Sequence, residues 1–452
     1  MKKTSLALFL LLGGPGAFAQ VAAPARKAVP RPAASAVAPP TVDPESAKAI
    51  DKLMQDYAAA DRVPGAIALV MRDGKVVYRK AVGYNDVAAK TPLTTDAIVR
   101  IASQTKAITS VGAMMLYDEG KFQLDDPISK YLPAFKKQFV LGFLNEHDTT
   151  YTMIPVKQEI TIRQLFTHTS GISYPIIGSK EAVMIYAKNK IPSGIGTPTG
   201  TLAKSMDDLA KLPLLHEPGQ RFTYGLSVDV LGRLIEVLSG QSLDQYLRRR
   251  IFEPLGMKDT YFYLPADKQA RLVKLYSEDA GKKTIPMPPM AQSSGKMSPD
   301  YPKTKGTYFS GGAGLSSTID DYAAFLQMML NKGTYNGHRL LKPETVALMT
   351  KNQTGKVNQG DHKFGLGFSI TMPENVRMPG LSEGSYEWGG IFGTTYWVDP
   401  KEKLVGLIYT QKYPNTTGGD LDDKFKKLVY QVFVPDQKAP ANAATPAPTG
   451  TK

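Results

Sequence analysis

Apolar residues recur at helical spacing over 46–61, where Ile50, Leu53, Met54 and Tyr57 mark one face and predict a first helix. The period then changes. The apolar runs from Gly65 to Met71 and from Val76 to Tyr78 flank Arg72-Asp73-Gly74-Lys75, which predicts two strands joined by an Asp-Gly turn. Helical spacing returns with Ile101, Ile108, Val111 and Met115, in an amphipathic run that reaches Gly120. From about 120 to 300 the pattern predicts helix and loop, with amphipathic helices over 227–238 and 243–251. Five prolines make 282–305 irregular, which suits either a lid or substrate wall or a surface loop. Ser317 is placed to cap a helix over 320–331, strands are predicted at 365–370, 386–389, 394–398 and 404–409, and a last helix at 420–433. Strands at both ends with helices between predict a mixed α/β (α+β) fold: one sheet built from both ends of the chain, plus an inserted helical domain over about 120–300.

Composition adds boundaries. Residues 20–45 and 435–452 are rich in Ala and Pro and predict a linker and a tail, leaving 46–434 as the folded unit. Residues 1–19 carry Lys2 and Lys3, an apolar run and Ala17-Phe18-Ala19, the pattern of a cleaved leader, so the expectation is an exported protein, periplasmic or secreted. The apolar run is too short for a transmembrane anchor. With no cysteine, neither disulfides nor a lipid-modified N-terminal cysteine can form. The net charge of +14, or +12 once Lys2 and Lys3 are removed, is dispersed without a basic stripe, so nucleic acid is not an expected partner.

The run opening Ile101-Ala102-Ser103-Gln104-Thr105-Lys106 places a hydroxyl and an amine three residues apart, on one helical face. Such an amine can take the hydroxyl proton, and a helix N-terminus favours the oxyanion that follows attack. The bland alternative is a capping serine beside a solvated lysine. Ser-x-x-Lys recurs at Ser293 and Lys296, where Gly295 and the surrounding prolines disfavour a helix. Tyr224 precedes the predicted helix at Ser227, where its hydroxyl could relay a proton or simply be one more of 22 tyrosines. In Trp388-Gly389-Gly390-Ile391 the glycines permit close approach of a substrate, and the N–H of Ile391 could meet an oxyanion; a bulge or tight turn is the plain alternative. The five histidines lack metal-ligand spacing, so neither a metal nor another cofactor is expected.

Taken in order, Ser103-x-x-Lys106, Tyr224 and Trp388-Gly389-Gly390 resemble the serine beta-lactamase-related (class C-like) superfamily, and within it the family VIII carboxylesterases. The stretches Leu165 to Ile172, Glu217-Pro218-Gly219, Pro254 to Thr260 and Gly311 to Thr318 are similar to landmarks of that family. The resemblance covers 46–434 and implies a beta-lactamase/penicillin-binding-protein-like fold, a mostly antiparallel sheet flanked by helices. It also implies that Ser103 is the acylated nucleophile, that Lys106 and Tyr224 are its proton-transfer partners, and that Ser103 and Ile391 supply the oxyanion N–H groups. Leu226 and Trp388-Gly389 stand where relatives acting on beta-lactams carry Asn and Lys-Thr, so Leu226, Trp388, Gly389 and Gly390 are expected substrate contacts. Loss of that lysine removes about 1.5–3 kcal/mol of charged hydrogen bonding to a substrate carboxylate. The expectation is a carboxylesterase for short-chain esters with weak beta-lactamase activity; the alternatives are an amide or peptide hydrolase and a non-catalytic peptidoglycan-binding protein.

Overall fold

The computed structural model describes residues 44–292 and 295–437. The predicted leader, the linker up to residue 43, Ser293 and Ser294, and the tail from 438 lie outside the described residues. Eight strands make one sheet: β1 (Gly65–Arg72), β2 (Lys75–Asp86), β3 (Thr91–Pro92), β4 (Lys363–Phe364), β5 (Ser369–Ile370), β6 (Tyr386–Gly390), β7 (Thr394–Asp399) and β8 (Leu404–Tyr409). Their order is β4-β5-β6-β7-β8-β1-β2-β3, with every pairing antiparallel. The two ends of the chain meet where β1 pairs β8, Ile67 opposite Tyr409.

β1 is apolar without alternation because both of its faces are covered. Ile67, Leu69 and Met71 enter the larger core, shared with α2 (Thr105–Asp118), α3 (Ser227–Ser239) and α4 (Ile319–Leu330). Ala66, Ala68 and Val70 enter a second core, where α1 (Pro44–Ala59) and α5 (Leu421–Phe433) contribute Ile50, Met54, Phe425 and Val429. The β1–β2 turn forms at Asp73 and Gly74, both with positive φ (49° and 75°), as a two-residue hairpin requires.

Several expectations shift. α2 is not amphipathic: Thr105 through Leu116 are all buried, with α3 and the Leu243–Leu247 helix packed against it. Gly112 admits the close neighbour, since a Cβ there would lie 2.9 Å from Leu247 Cδ2. Within 120–300 a hairpin of Phe139–Asn145 and Thr150–Pro155 replaces predicted helix or loop. The helix at 243–251 is helical only over Leu243–Leu247 before widening into a π turn, Arg248–Phe252. Segment 282–305 contains short strands, Thr284–Pro286, Met290–Gln292 and Gly295–Met297. Strand 365–370 shrinks to β5, because Gly367 turns through φ +99° against Ser110. Thr318, not Ser317, caps α4 by accepting from Asp321 N–H; the Ser317 hydroxyl is held by Thr260 at 2.7 Å. Among the described residues no helix is long and apolar enough to cross a membrane.

Candidate active site

Ser103 sits on a sharp turn between strand and helix. Val99–Arg100 pairs with Ser316–Ser317, Ile101 N–H donates to Leu315 O at 3.1 Å, and the chain then turns through Ala102–Gln104 into α2. Ala102 has φ +42°, a left-handed conformation that costs a non-glycine residue about 1–3 kcal/mol. Long-range contacts hold the turn: Tyr322 OH donates to the Gln104 carbonyl and Tyr409 OH to its side-chain oxygen, each at 2.9 Å. Gly390 closes on it from β6, where a Cβ would come within 2.3 Å of the Ile101 carbonyl.

One turn later, Lys106 is only 2% exposed. Its Nζ donates to Tyr174 OH and to the Gly312 carbonyl, both at 2.8 Å, and lies 3.4 Å from Ser103 Oγ. It also stands 4.5 Å from the ring centre of Tyr224. Tyr174 has no counterpart among the sequence-predicted site residues. Burial, reinforced by Tyr224, Asp229 and Tyr308, pushes its pKa well above the usual tyrosine value, so it is a neutral phenol. Asp229, in the first turn of α3, is a second unpredicted member. Fully buried, it accepts from Ser310 Oγ at 2.7 Å and lies so close to Gly312 that a Cβ there would meet Oδ2 at 2.5 Å. Burial raises its pKa, partly offset by the Ser310 hydrogen bond and the Lys106 charge. Tyr174 is two residues beyond the Leu165–Ile172 stretch and Asp229 five beyond Tyr224, so proximity to those motifs was the available signal.

Tyr224 lies between aromatic neighbours, its ring centre 4.8 Å from His168, 5.4 Å from Tyr174 and 5.5 Å from Trp388. Its hydroxyl accepts from Trp388 Nε1 at 3.4 Å, and among the described residues no hydrogen bond joins it to Ser103. His168 is buried, and burial, then the Lys106 charge, lowers its pKa, so it is a neutral ring packed on Tyr224. His216 is held by the Glu217 carbonyl and Thr223 Oγ1, both at 2.8 Å. Leu226 is fully buried in the large core, its side chain packed at the start of α3 and away from the cavity lining. Lys296 lies on an extended strand, where no helix aligns it with a serine.

Ser103, Tyr224, Trp388, Gly389, Gly390 and Ile391 line one cavity of about 540 Å³. Ile391 opens the turn between β6 and β7, closed by Gly393 N–H to the Gly390 carbonyl at 3.0 Å. Its own N–H has no backbone acceptor among the described residues. From segment 282–305, Met290 and Met297 pack with Ile195, Ile391 and Phe392, but no described residue of the segment lines this cavity. A cavity of about 690 Å³ adjoins the first, sharing Tyr224 and Ile177. Among the described residues no group of three or more His, Asp or Glu side chains could hold a metal ion.

The beta-lactamase family model matches residues 50–431. Protein Rv1367c of Mycobacterium tuberculosis (strain ATCC 25618 / H37Rv) is 34% identical over 381 residues, covering 80% of this chain and 89% of that protein. Esterase EstB of Burkholderia gladioli is 27% identical over 393 residues, covering 84% and 94%. Among solved structures, EstCE1, described as a hydrolase with promiscuous acyltransferase activity, superposes with TM-score 0.73 at 26% identity, covering 85% of this chain and 98% of its own. With this match across nearly the whole described fold, the chain belongs to the beta-lactamase family.

Proposed function

We propose that the protein is a serine hydrolase that cleaves short-chain carboxylic esters through an acyl-enzyme on Ser103, with slow turnover of some beta-lactams. The observation that carries this reading is the buried Lys106 amine 3.4 Å from Ser103 Oγ, at a cavity bounded by Trp388. In the proposed reaction Ser103 Oγ attacks the ester carbonyl and its proton passes to the Lys106–Tyr224 pair. The N–H groups of Ser103 and Ile391 receive the oxyanion. The proton then leaves with the alcohol, and water, deprotonated by the same pair, releases the acid and restores Ser103. Esterase relatives support the ester preference, as does the tryptophan standing where a carboxylate-binding lysine would be. Residues 1–19 support export as part of the same proposal.

The test is a panel of p-nitrophenyl acetate and butyrate, nitrocefin and D-amino-acid amides, run beside Ser103→Ala. Esters should give the highest kcat/KM and Ser103→Ala should abolish it. Undiminished ester turnover by Ser103→Ala would refute the nucleophile. A higher kcat/KM for the amides would move the substrate class to peptides, and no labelling by a fluorophosphonate probe would favour a binding protein.

A further inference from the structure

The cavity continues past the glycines. Beyond Gly389 it reaches Thr395 on β7, Asn415, and Asp422 in the first turn of α5. Gly389 keeps this stretch of the lining free of a side chain: a Cβ there would meet the Thr394 carbonyl at 2.9 Å and stand 3.8 Å from Thr395 Oγ1. At this far end Asp422 accepts hydrogen bonds from Thr395 Oγ1, at 3.2 Å, and from the Asp423 backbone N–H. The neighbouring cations are engaged elsewhere. Lys426 pairs with Glu387 at 2.5 Å, Lys424 with Asp420 at 2.6 Å, and Lys412, the cation of the cavity lining, pairs with Glu278 at 3.0 Å. Burial and the adjacent Asp423 charge push the Asp422 pKa up, with the Lys426 charge and the hydrogen bonds from Asp423 N–H and Thr395 pulling it back only in part. It is a carboxylate short of counter-charge, facing the cavity that holds Ser103. A first-turn acid also suits the α5 dipole, but exposed Asp423 serves that purpose without facing the cavity.

We propose that Asp422 is a specificity-determining residue that receives an ammonium group on the substrate, so that the enzyme prefers amine- or quaternary-ammonium-bearing esters and disfavours those carrying a carboxylate. This rests on the esterase reading for its kinetic test and not for its binding test. A substrate extending from Ser103 across Gly389 places its distal group beside Asp422 and Thr395, where a cation gains a partner in a partly desolvated site. The same position repels a substrate carboxylate.

The kinetic test compares shape-matched esters: butyrylcholine against 3,3-dimethylbutyl butyrate, and the p-nitrophenyl esters of 4-(trimethylammonio)butyrate and 5,5-dimethylhexanoate. For at least one pair, wild type should favour the cationic ester. Asp422→Asn should lower its kcat/KM about tenfold or more, the loss of a charged contact, and leave the neutral ester unchanged. Equal effects on both members, or on neither, would overturn the proposal. Calorimetric binding of butyltrimethylammonium to Ser103→Ala and to Ser103→Ala/Asp422→Asn reads the site without turnover. Binding weakened by the second substitution supports it even if no ester is cleaved, whereas equal binding or none overturns it.

Discussion

Replacing Glu278 by Gln should destabilise this protein by about 3–5 kcal/mol at pH 7, because it leaves a buried ammonium without its counter-charge. Lys412 is 0% exposed and Glu278 4%, and the ammonium's other contacts are the Arg62 carbonyl and Thr417 Oγ1. Burial alone would raise the Glu278 pKa. Hydrogen bonds from Thr416, Lys412 and Thr417 more than offset it and hold the carboxyl at about 2, against an ordinary 4.5. At about 1.4 kcal/mol per pH unit that depression corresponds to about 3 kcal/mol, consistent with the cost of breaking a buried pair. Because the folded value is depressed, the contribution is fully present above pH 4.5 and disappears as pH falls through about 2. Urea unfolding followed by fluorescence of the two tryptophans measures it, with wild type and Glu278→Gln compared at pH 7 and near pH 2. The variant should unfold at clearly lower urea at pH 7, the gap should narrow in acid, and Glu278→Gln with Lys412→Met should recover much of the loss. Equal midpoints at pH 7, or a gap indifferent to pH, would refute the reasoning.

Asp321 should act with the opposite sign: burial, despite hydrogen bonds from Asp259 N–H and Thr260, pushes its pKa up to about 6 from 3.8, so its folded state is favoured below pH 3.8 and loses up to about 3 kcal/mol as pH rises through 6. Asp321→Asn should flatten the unfolding midpoint between pH 4 and 7, measured on the same urea curves. Gly390→Ala should lower ester kcat/KM at least about a hundredfold, since its Cβ would stand 2.3 Å from the Ile101 carbonyl and must displace β6 from the Ser103 turn; wild-type kinetics would refute this. Tyr174→Phe removes a 2.8 Å acceptor from Lys106 and should lower kcat/KM about tenfold or more while the protein still unfolds cooperatively, tested by ester kinetics and thermal melting.

The parts of this molecule legible in its sequence are those encoded over a few neighbouring residues. The Asp73-Gly74 hairpin, the starts of α3 and α5, and the Ser103–Lys106 spacing follow from local periodicity and turn chemistry. Full burial of α2 was hidden because Thr105, Thr109 and Ser110 read as a polar face; Thr105 and Thr109 spend their hydroxyls on Leu315 N–H and the Gly311 carbonyl, over 200 residues away. The Phe139–Asn145 hairpin was missed because it stands partly exposed and lacks the burial alternation that marks a strand. Tyr174 and Asp229 carry no spacing signal toward Lys106; only the packing of α3 and of the 310–314 loop brings them there.

The electrostatics of the cleft follow from the same distinction. Trp388 in place of the usual lysine is visible locally, and taken alone it predicts a neutral site for neutral esters. Two long-range facts change that result. Lys412 borders the cavity, but Glu278, 134 positions earlier in the chain, already neutralises it. Asp422 reaches the cavity only because Thr395 on β7 faces α5, a consequence of sheet register that leaves a carboxylate without a comparable partner. With Lys412 paired to Glu278, Asp422 is the remaining charged side chain among the described residues that line the cavity. A family fold holding the same serine and lysine can differ in substrate through the charges around them, and on the proposal above Asp422 joins Trp388 in setting which substrates this chain prefers.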